Sequence, residues 1–204
     1  MDTQRRALIA AFALAAFAPL RTVFAQARPP FTEIKPPLPS EADGKIEVAE
    51  FFWYGCIHCY NLEAALDGWL KKVPADVQFR RIPAIFNGRW AHDAAIFYAF
   101  ESMGVLDKVH RPFFDAIHRD HLQTDRPSAL EEWLGKNGID AKKFNETLKS
   151  FGVQSKVRKA TQLTVASKID GTPAILVQGR YQVGAGDRML DNVNQAIEFA
   201  RTHK

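Results

Sequence analysis

The apolar pattern changes period several times along the chain. Lys45 to Phe52 (Lys-Ile-Glu-Val-Ala-Glu-Phe-Phe) reads as a short apolar strand. Leu62, Leu66, Trp69, Leu70 and Val73 then recur at helical spacing until Pro74 stops them. Val77 to Ile82 alternates as a second strand, ended by Pro83. A strand–helix–strand unit of this length implies a parallel pair with a right-handed crossover. From about Arg89 to Lys168 the pattern is helical, over Ala91–Met103, Leu106–Arg119, Pro127–Lys136, Asp140–Ser150 and Gln154–Ser167. Breaks fall at Gly104, Arg126-Pro127, Asn137-Gly138 and Gly152. Leu130, Trp133 and Leu134 in one segment, with Phe144, Leu148 and Phe151 in another, predict faces packed into a small bundle. Strands return at Gly171–Val177, and Gln178-Gly179-Arg180 turns the chain into Tyr181-Gln182-Val183 as a hairpin. Asp187 opens a last helix with Met189, Leu190, Val193, Ile197 and Phe199 on its buried side. No internal repeat is visible.

The first 25 residues stand apart. A basic start with Arg5-Arg6 precedes the apolar run Ala7–Leu20, and small residues near Ala25 or Ala27 offer a cleavage site. This is the pattern of a signal peptide, and the run is short for a membrane span. Residues 26–40 carry Pro29, Pro30, Pro36, Pro37 and Pro39 and should form an extended arm, with Phe31–Ile34 as a short edge strand. The 204 residues therefore divide into a leader (1–25), an arm (26–40), a split α/β domain (41–87 and 169–204) and an all-helical insertion (88–168).

Charge adds little. Without residues 1–25 the chain loses Arg5, Arg6 and Arg21 against Asp2, leaving 24 basic residues to 22 acidic ones. Nucleic acid is not implied. The compartment matters more, because an exported protein meets oxidising conditions in which disulfides persist.

The chemistry concentrates in the only two cysteines, Cys56 and Cys59, at the turn where the first strand hands over to the first helix. Cys56 falls at or just before the first helical residue, where free amides and the positive end of the helix dipole favour thiolate over thiol. His58 supplies a second positive partner. A CxxC pair so placed reads as a thiol–disulfide redox site. A structural disulfide closing so short a loop restrains little chain entropy. A zinc site needs two further ligands, and no second cysteine pair exists. Covalent haem needs His after the second cysteine, where this chain has Tyr60. His118 and His121 have a spacing open to metal, but they and His92 and His110 are expected to be surface residues of the insertion helices. Phe51 to Tyr54 divide between core and a platform near the site.

Strand alternation singles out one acid. Ile46, Val48, Glu50 and Phe52 share one face, and Val77, Phe79 and Arg81 share one on the next strand. A carboxylate among apolar neighbours is costly unless paired, and Arg81 is the available partner. Burial would raise the Glu50 pKa and Arg81 would lower it. The alternative is a pair of solvated strand-end charges. Glu63, one helical turn after Cys59, is a weaker candidate.

Glu50-Phe51-Phe52, Cys56-Ile57-His58-Cys59-Tyr60, Glu63 and Gly171-Thr172-Pro173-Ala174 together resemble the DsbA family of periplasmic thiol–disulfide oxidoreductases, a thioredoxin fold with an inserted all-helical domain. The resemblance covers almost all of the chain after its leader. It implies that Cys56 is the exposed nucleophile, that Cys59 resolves the mixed disulfide, and that His58 is the histidine of the family's central dipeptide. It further implies that Pro173 is cis, that Thr172 and Pro173 bind substrate chains, and that Glu50 is the buried acid beneath the second cysteine, as proton acceptor or field-setter. Reduced exported proteins are then the substrates, a quinone-linked inner-membrane oxidase of the DsbB kind is the partner, and the protein is a periplasmic monomer. No metal and no cofactor beyond the Cys56–Cys59 disulfide are expected. Two departures stand out: Ile57 replaces a common Pro, and Thr172 replaces a common Val. Isomerases of the same fold also carry Thr there, though they have an N-terminal dimerisation domain. A disulfide isomerase or dedicated thiol reductase is the nearest alternative, and a non-catalytic peptide-binding chaperone the next.

Overall fold

The computed structural model describes residues 29–203, so the expectations for the leader and its cleavage site lie outside the described residues. Five strands form one mixed sheet in the order β1-β5-β4-β2-β3. Strands β2 (Ile46–Phe52) and β3 (Val77–Pro83) are parallel, joined by helix α1 (Ile57–Leu70). Strand β4 (Ala174–Val177) runs antiparallel to β2, β5 (Tyr181–Val183) to β4, and the short β1 (Thr32–Glu33) to β5 at the edge. Between β3 and β4 come helices α2 (Gly88–Ser102), α3 (Leu106–His118), α4 (Pro127–Lys136), α5 (Ala141–Leu148) and α6 (Phe151–Ser167), and α7 (Met189–Thr202) closes the chain. This is a thioredoxin-type α/β arrangement carrying an all-helical insertion.

The sheet is buried on both faces. A larger core unites Ala49, Phe51, Phe52 and Leu176 with the insertion, above all with α2, where Asp93 to Phe100 are all buried. A second core joins Val48, Ile175 and Val177 to Val193 and Ile197 of α7, with Leu62 and Trp69 of α1 beside it. The arm is tied across the hairpin by Ile34 N–H to Arg180 O and Leu38 N–H to Gly179 O, both 2.8 Å. Gly179 is required there: its φ is +60°, and a Cβ would lie 2.4 Å from the Leu38 carbonyl oxygen.

Capping moves two helix starts from where periodicity places them. Asn87 accepts from the Arg89 and Trp90 amides, so α2 starts at Gly88 rather than Ala91. Ser150 accepts from Val153 N–H, so α6 starts at Phe151 and runs through Gly152, which is no break. The same cap overturns the expected packing of Phe151. As first residue of α6 it is 81% exposed, while Phe144 is buried and Leu148 partly so.

Candidate active site

The register brings the site together. Phe51 pairs with Ala174, so the segment before β4 runs past the end of β2, where the cysteine loop emerges. The Thr172–Pro173 peptide is cis, and the Thr172 carbonyl oxygen lies 3.3 Å from Cys56 Sγ. Cys56 is the N-cap of α1, with extended backbone angles, and its sulfur accepts from Cys59 N–H at 3.4 Å. Its own amide donates to the Trp53 carbonyl at 3.0 Å. Trp53 packs over Gly55, where a Cβ would come within 2.3 Å of the indole. That close approach leaves no room for a side chain in the loop.

Both cysteines are free thiols, Cys56 half-buried and Cys59 buried. Their acidities are driven apart. The Cys56 pKa falls to about 5, because the Cys59 thiol donates to it, the Thr172 side chain does so too, and the Cys59 and His58 amides point at it; partial burial opposes the shift. Cys59 is pushed far upward, first by burial, then by its bond to Cys56 and by the negative charges of Cys56 and Glu50. One sulfur is a poised nucleophile and leaving group, and the other holds its proton. His58 is exposed, and the group it turns toward the thiolate is its backbone N–H.

Two buried carboxyls and a partly exposed arginine cluster next to the pair. Glu50 is fully buried, with Arg81 Nε 3.3 Å from its Oε2. Glu63 of α1 is also buried and takes the other side of the guanidinium, Nη2 to Oε2 at 3.2 Å. Burial settles the competition at Glu50: its pKa rises to about 8, desolvation outweighing Arg81 and the charges of Glu63 and Cys56 adding to it. At Glu63 burial is outweighed by His110, Arg81 and Arg111, and the carboxyl stays below its ordinary range.

Two of the histidines are placed differently from expectation. His110 is 6% exposed, not a surface residue, because it shares the apolar stripe of α3 with Val109, Phe113 and Phe114. Its Nδ1 lies 2.9 Å from the Tyr54 hydroxyl and its Nε2 3.5 Å from Glu63 Oε1. His118 reaches the Tyr54 carbonyl through Nε2 at 2.8 Å and stacks on Tyr60. His121 lies past the end of α3 with φ +58°, and the described residues hold no cluster of three or more metal-type ligands. A further network surrounds Asp93, which the sequence pattern does not single out. Buried Asp93 accepts from Trp53 Nε1 at 2.8 Å and from the Thr124 hydroxyl at 2.6 Å, while Trp90 stacks on Trp53. The signal that would have found both is a polar residue inside an apolar helical stripe: His110 on α3 and Asp93 on α2.

The chain matches the DSBA-like thioredoxin domain over residues 80–198. It is 42% identical to the thiol:disulfide interchange protein DsbA of Azotobacter vinelandii over 156 residues, 76% of this chain and 73% of that one. Its identity to the protein of the same name from Pseudomonas aeruginosa is 40% over 156 residues, 76% and 74% of the two chains. The crystal structure of Pseudomonas aeruginosa DsbA superposes with a TM-score of 0.79 at 38% identity, covering 85% of this chain and 93% of that one. The Xylella fastidiosa oxidoreductase DsbA gives 0.79 at 29% identity, covering 84% and 95%.

Proposed function

From the premise that the chain belongs to the DsbA family of thiol:disulfide interchange proteins, we propose that it is a periplasmic disulfide donor acting through Cys56 and Cys59. The observation that carries this reading is the split acidity of the pair, with Cys56 lowered to about 5 at the N-cap of α1 and Cys59 raised by burial. A thiolate stabilised in the reduced enzyme weakens the disulfide relative to the dithiol, which makes the oxidised form an oxidant.

The steps follow from the geometry. A substrate thiolate attacks Cys56 Sγ, the S–S bond breaks, and Cys59 leaves with the electron pair and takes up a proton. Glu50, protonated at neutral pH, is the buried acid nearest in charge to Cys59 and supplies that proton or sets the field for it. A second substrate thiolate then attacks the substrate sulfur of the mixed disulfide and displaces Cys56 as thiolate. The substrate dithiol loses two electrons and the enzyme gains them. Thr172 and Pro173 line the approach to Cys56 and hold the extended substrate chain by its backbone. The imidazole of His58, exposed at the rim, adds positive charge toward incoming thiolates when protonated. A membrane oxidase of the DsbB kind, linked to quinone, returns the enzyme to its disulfide form. The enzyme acts as a monomer on reduced exported proteins, after cleavage near Ala25 or Ala27, with its own disulfide as the only redox group.

Equilibration with glutathione buffers tests this. The expected potential lies above the poise of an oxidising compartment, about −180 to −210 mV. A value well below that range identifies a reductase instead. Oxidation of a reduced two-cysteine substrate should vanish in Cys56→Ala, and its persistence would mean that the Cys56–Cys59 pair is not the donor. A wild-type protein that leaves the substrate pool unaltered while still binding peptide would favour the chaperone reading.

A further inference from the structure

Two buried carboxylates share one guanidinium beneath the cysteine pair, and a second donor stands behind only one of them. Arg81 lies 3.3 Å from Glu50 and 3.2 Å from Glu63. One positive charge does not hold two buried carboxylates ionised together, so one of them keeps a proton. Around Glu50 the described residues offer neither oxygen a well-formed hydrogen bond. Glu63 accepts from Arg81 Nη2 at 3.2 Å, and the buried Nε2 of His110, with no well-formed hydrogen bond elsewhere among the described residues, faces its Oε1 at 3.5 Å.

The tautomer of His110 follows from its neighbours. The Tyr54 hydroxyl lies 2.9 Å from Nδ1. If Nδ1 carried the proton, the lone pair of Nε2 would face the Glu63 carboxylate. With Tyr54 donating to Nδ1, the Nε2–H points at Glu63 instead. Phe52, Phe97 and Phe114 surround the imidazole with ring centroids 5.2 to 6.0 Å away, which fixes its orientation. The ring stays neutral, because burial and Arg81 oppose its protonation more than Glu63 and Asp67 favour it.

We propose that His110, backed by Tyr54, is the positioning residue that assigns the proton in this acid pair: it holds Glu63 ionised against Arg81 and so leaves the proton on Glu50, the acid that acts on Cys59. The proposal deepens the disulfide-donor reading, on which the use of Glu50 rests, but the proton assignment is a property of the cluster alone. Other charges reach the same groups. Arg111 of α3 also favours an ionised Glu63, the Cys56 thiolate also disfavours an ionised Glu50, and Asp93 of α2 acts on Tyr54. At neutral pH His110 is the uncharged one among the groups acting on Glu63, so its removal there changes no formal charge. Its loss is therefore the clean perturbation.

The test is a pH titration of the side-chain carboxyl carbons of the reduced, leaderless protein by ¹³C NMR, with signals assigned through Glu50→Gln and Glu63→Gln. In the unaltered protein Glu63 ionises first and Glu50 last, near pH 8. In His110→Phe, the Glu63 midpoint rises and the Glu50 midpoint falls, each by at least about one unit, a tenfold change in the equilibrium. In His110→Gln, whose amide reaches the place of Nε2–H, both return toward their original values. The pH profile for resolution of a mixed disulfide by Cys59 moves to lower pH with Glu50 in the Phe variant and not in the Gln variant. If His110→Phe does not fold, Tyr54→Phe, which keeps the ring and removes the hydroxyl, shifts both midpoints in the same directions by a smaller amount. Unchanged midpoints in a folded His110→Phe or Tyr54→Phe protein overturn the proposal and leave His110 a packing residue. That result is independent of whether Cys56→Ala abolishes activity, so the two readings fail separately.

Discussion

Glu47 and Glu50 stand three residues apart on β2, on opposite faces of the sheet, both buried and each met by an arginine from β3. Their surroundings differ in kind. Glu47 takes two contacts from Arg80, Nε at 3.0 Å and Nη2 at 3.1 Å, and a third from the Glu41 amide at 2.7 Å. Arg80 is closed off in turn by Glu41 at 3.0 Å. Glu50 has one lateral contact to an arginine it shares with Glu63. In the first arrangement both carboxylate oxygens accept a hydrogen bond, Oε1 from Arg80 Nη2 and Oε2 from the Glu41 amide. These bonds offset desolvation even though Arg80 Nε makes no well-formed one. The second leaves a carboxyl without a well-formed hydrogen bond, and it is the one whose charge acts on Cys59. Buried acids on one strand thus differ: Glu47 is closed by donors from Glu41 and Arg80, and Glu50 is held above its ordinary pKa by burial.

The largest expected effect separates the two arginines. Arg81→Met strands Glu63 as a buried charge with only His110 in contact and Arg111 acting from farther off, and should cost about 3–5 kcal/mol at neutral pH. Arg80→Met leaves Glu47 its amide donor and opens onto the surface groove that Arg80 lines, so about 1–3 kcal/mol is expected. Urea unfolding of the oxidised proteins measures both. Equal losses would break the comparison, since they would mean that Glu63 draws as little from Arg81 as Glu47 does from Arg80.

Opposite signs are expected for the two acids. Glu50→Gln replaces a group already neutral at pH 7 and should raise stability, by up to about 3 kcal/mol if the whole shift from 4.5 to about 8 is relieved at that pH. The same variant should turn over reduced substrate more slowly near neutral pH. Glu47→Gln loses charge-assisted bonds to Arg80 and should cost about 1–3 kcal/mol with turnover unchanged. Thermal melting and a substrate-oxidation assay give the four values. A stabilised Glu47→Gln, or a destabilised and fully active Glu50→Gln, would erase the distinction.

Much of this was legible in the sequence because it rests on local rules. Alternation put Glu50 opposite Arg81, and the strand-to-helix junction put Cys56 at a helix start; both are short-range consequences of backbone periodicity. The Gly-Thr-Pro segment carried the cis bond through resemblance rather than through spacing. What stayed hidden depends on contacts distant in the chain. Glu63 gains its weight only when α3, dozens of residues later, lays His110 against it; the apolar stripe of α3 signals that His110 is buried, but nothing local says against which residue. Glu47 escaped notice for a related reason: strand parity read the face of Glu50, while the other face is closed by Gln178 and Arg80 from separate parts of the sheet. Phe151 failed the other way, since an N-cap serine overrode a hydrophobic pattern that pointed it inward.

The smallest effect is the difference between the two redox forms in a dependence on pH, and it sharpens the contrast most. Glu50 ionises at its ordinary value of 4.5 in the unfolded chain and at about 8 in the folded one. Below pH 4.5 both states are protonated and Glu50 is neutral to stability. Between 4.5 and 8 the unfolded chain releases a proton that the folded one retains, so folding grows less favourable as pH rises, by about 1.4 kcal/mol per unit at most. Above 8 the cost is constant. Cys56 runs the opposite way in the reduced protein: its folded pKa of about 5 lies below the unfolded 9, so it adds stability as pH rises through that window and loses it as pH falls toward 5. Oxidation silences Cys56, so the oxidised protein isolates Glu50. The gain from Glu50→Gln in the oxidised form should then be near zero at pH 4 and grow to a plateau above pH 8. Because the Cys56 thiolate itself adds to the Glu50 shift, the gain at pH 7 should be larger in the reduced form than in the oxidised one. Urea unfolding of both redox forms across that range measures the difference. A gain independent of pH would mean that Gln merely packs better than Glu, and that the proton beneath Cys59 is not held there by the fold.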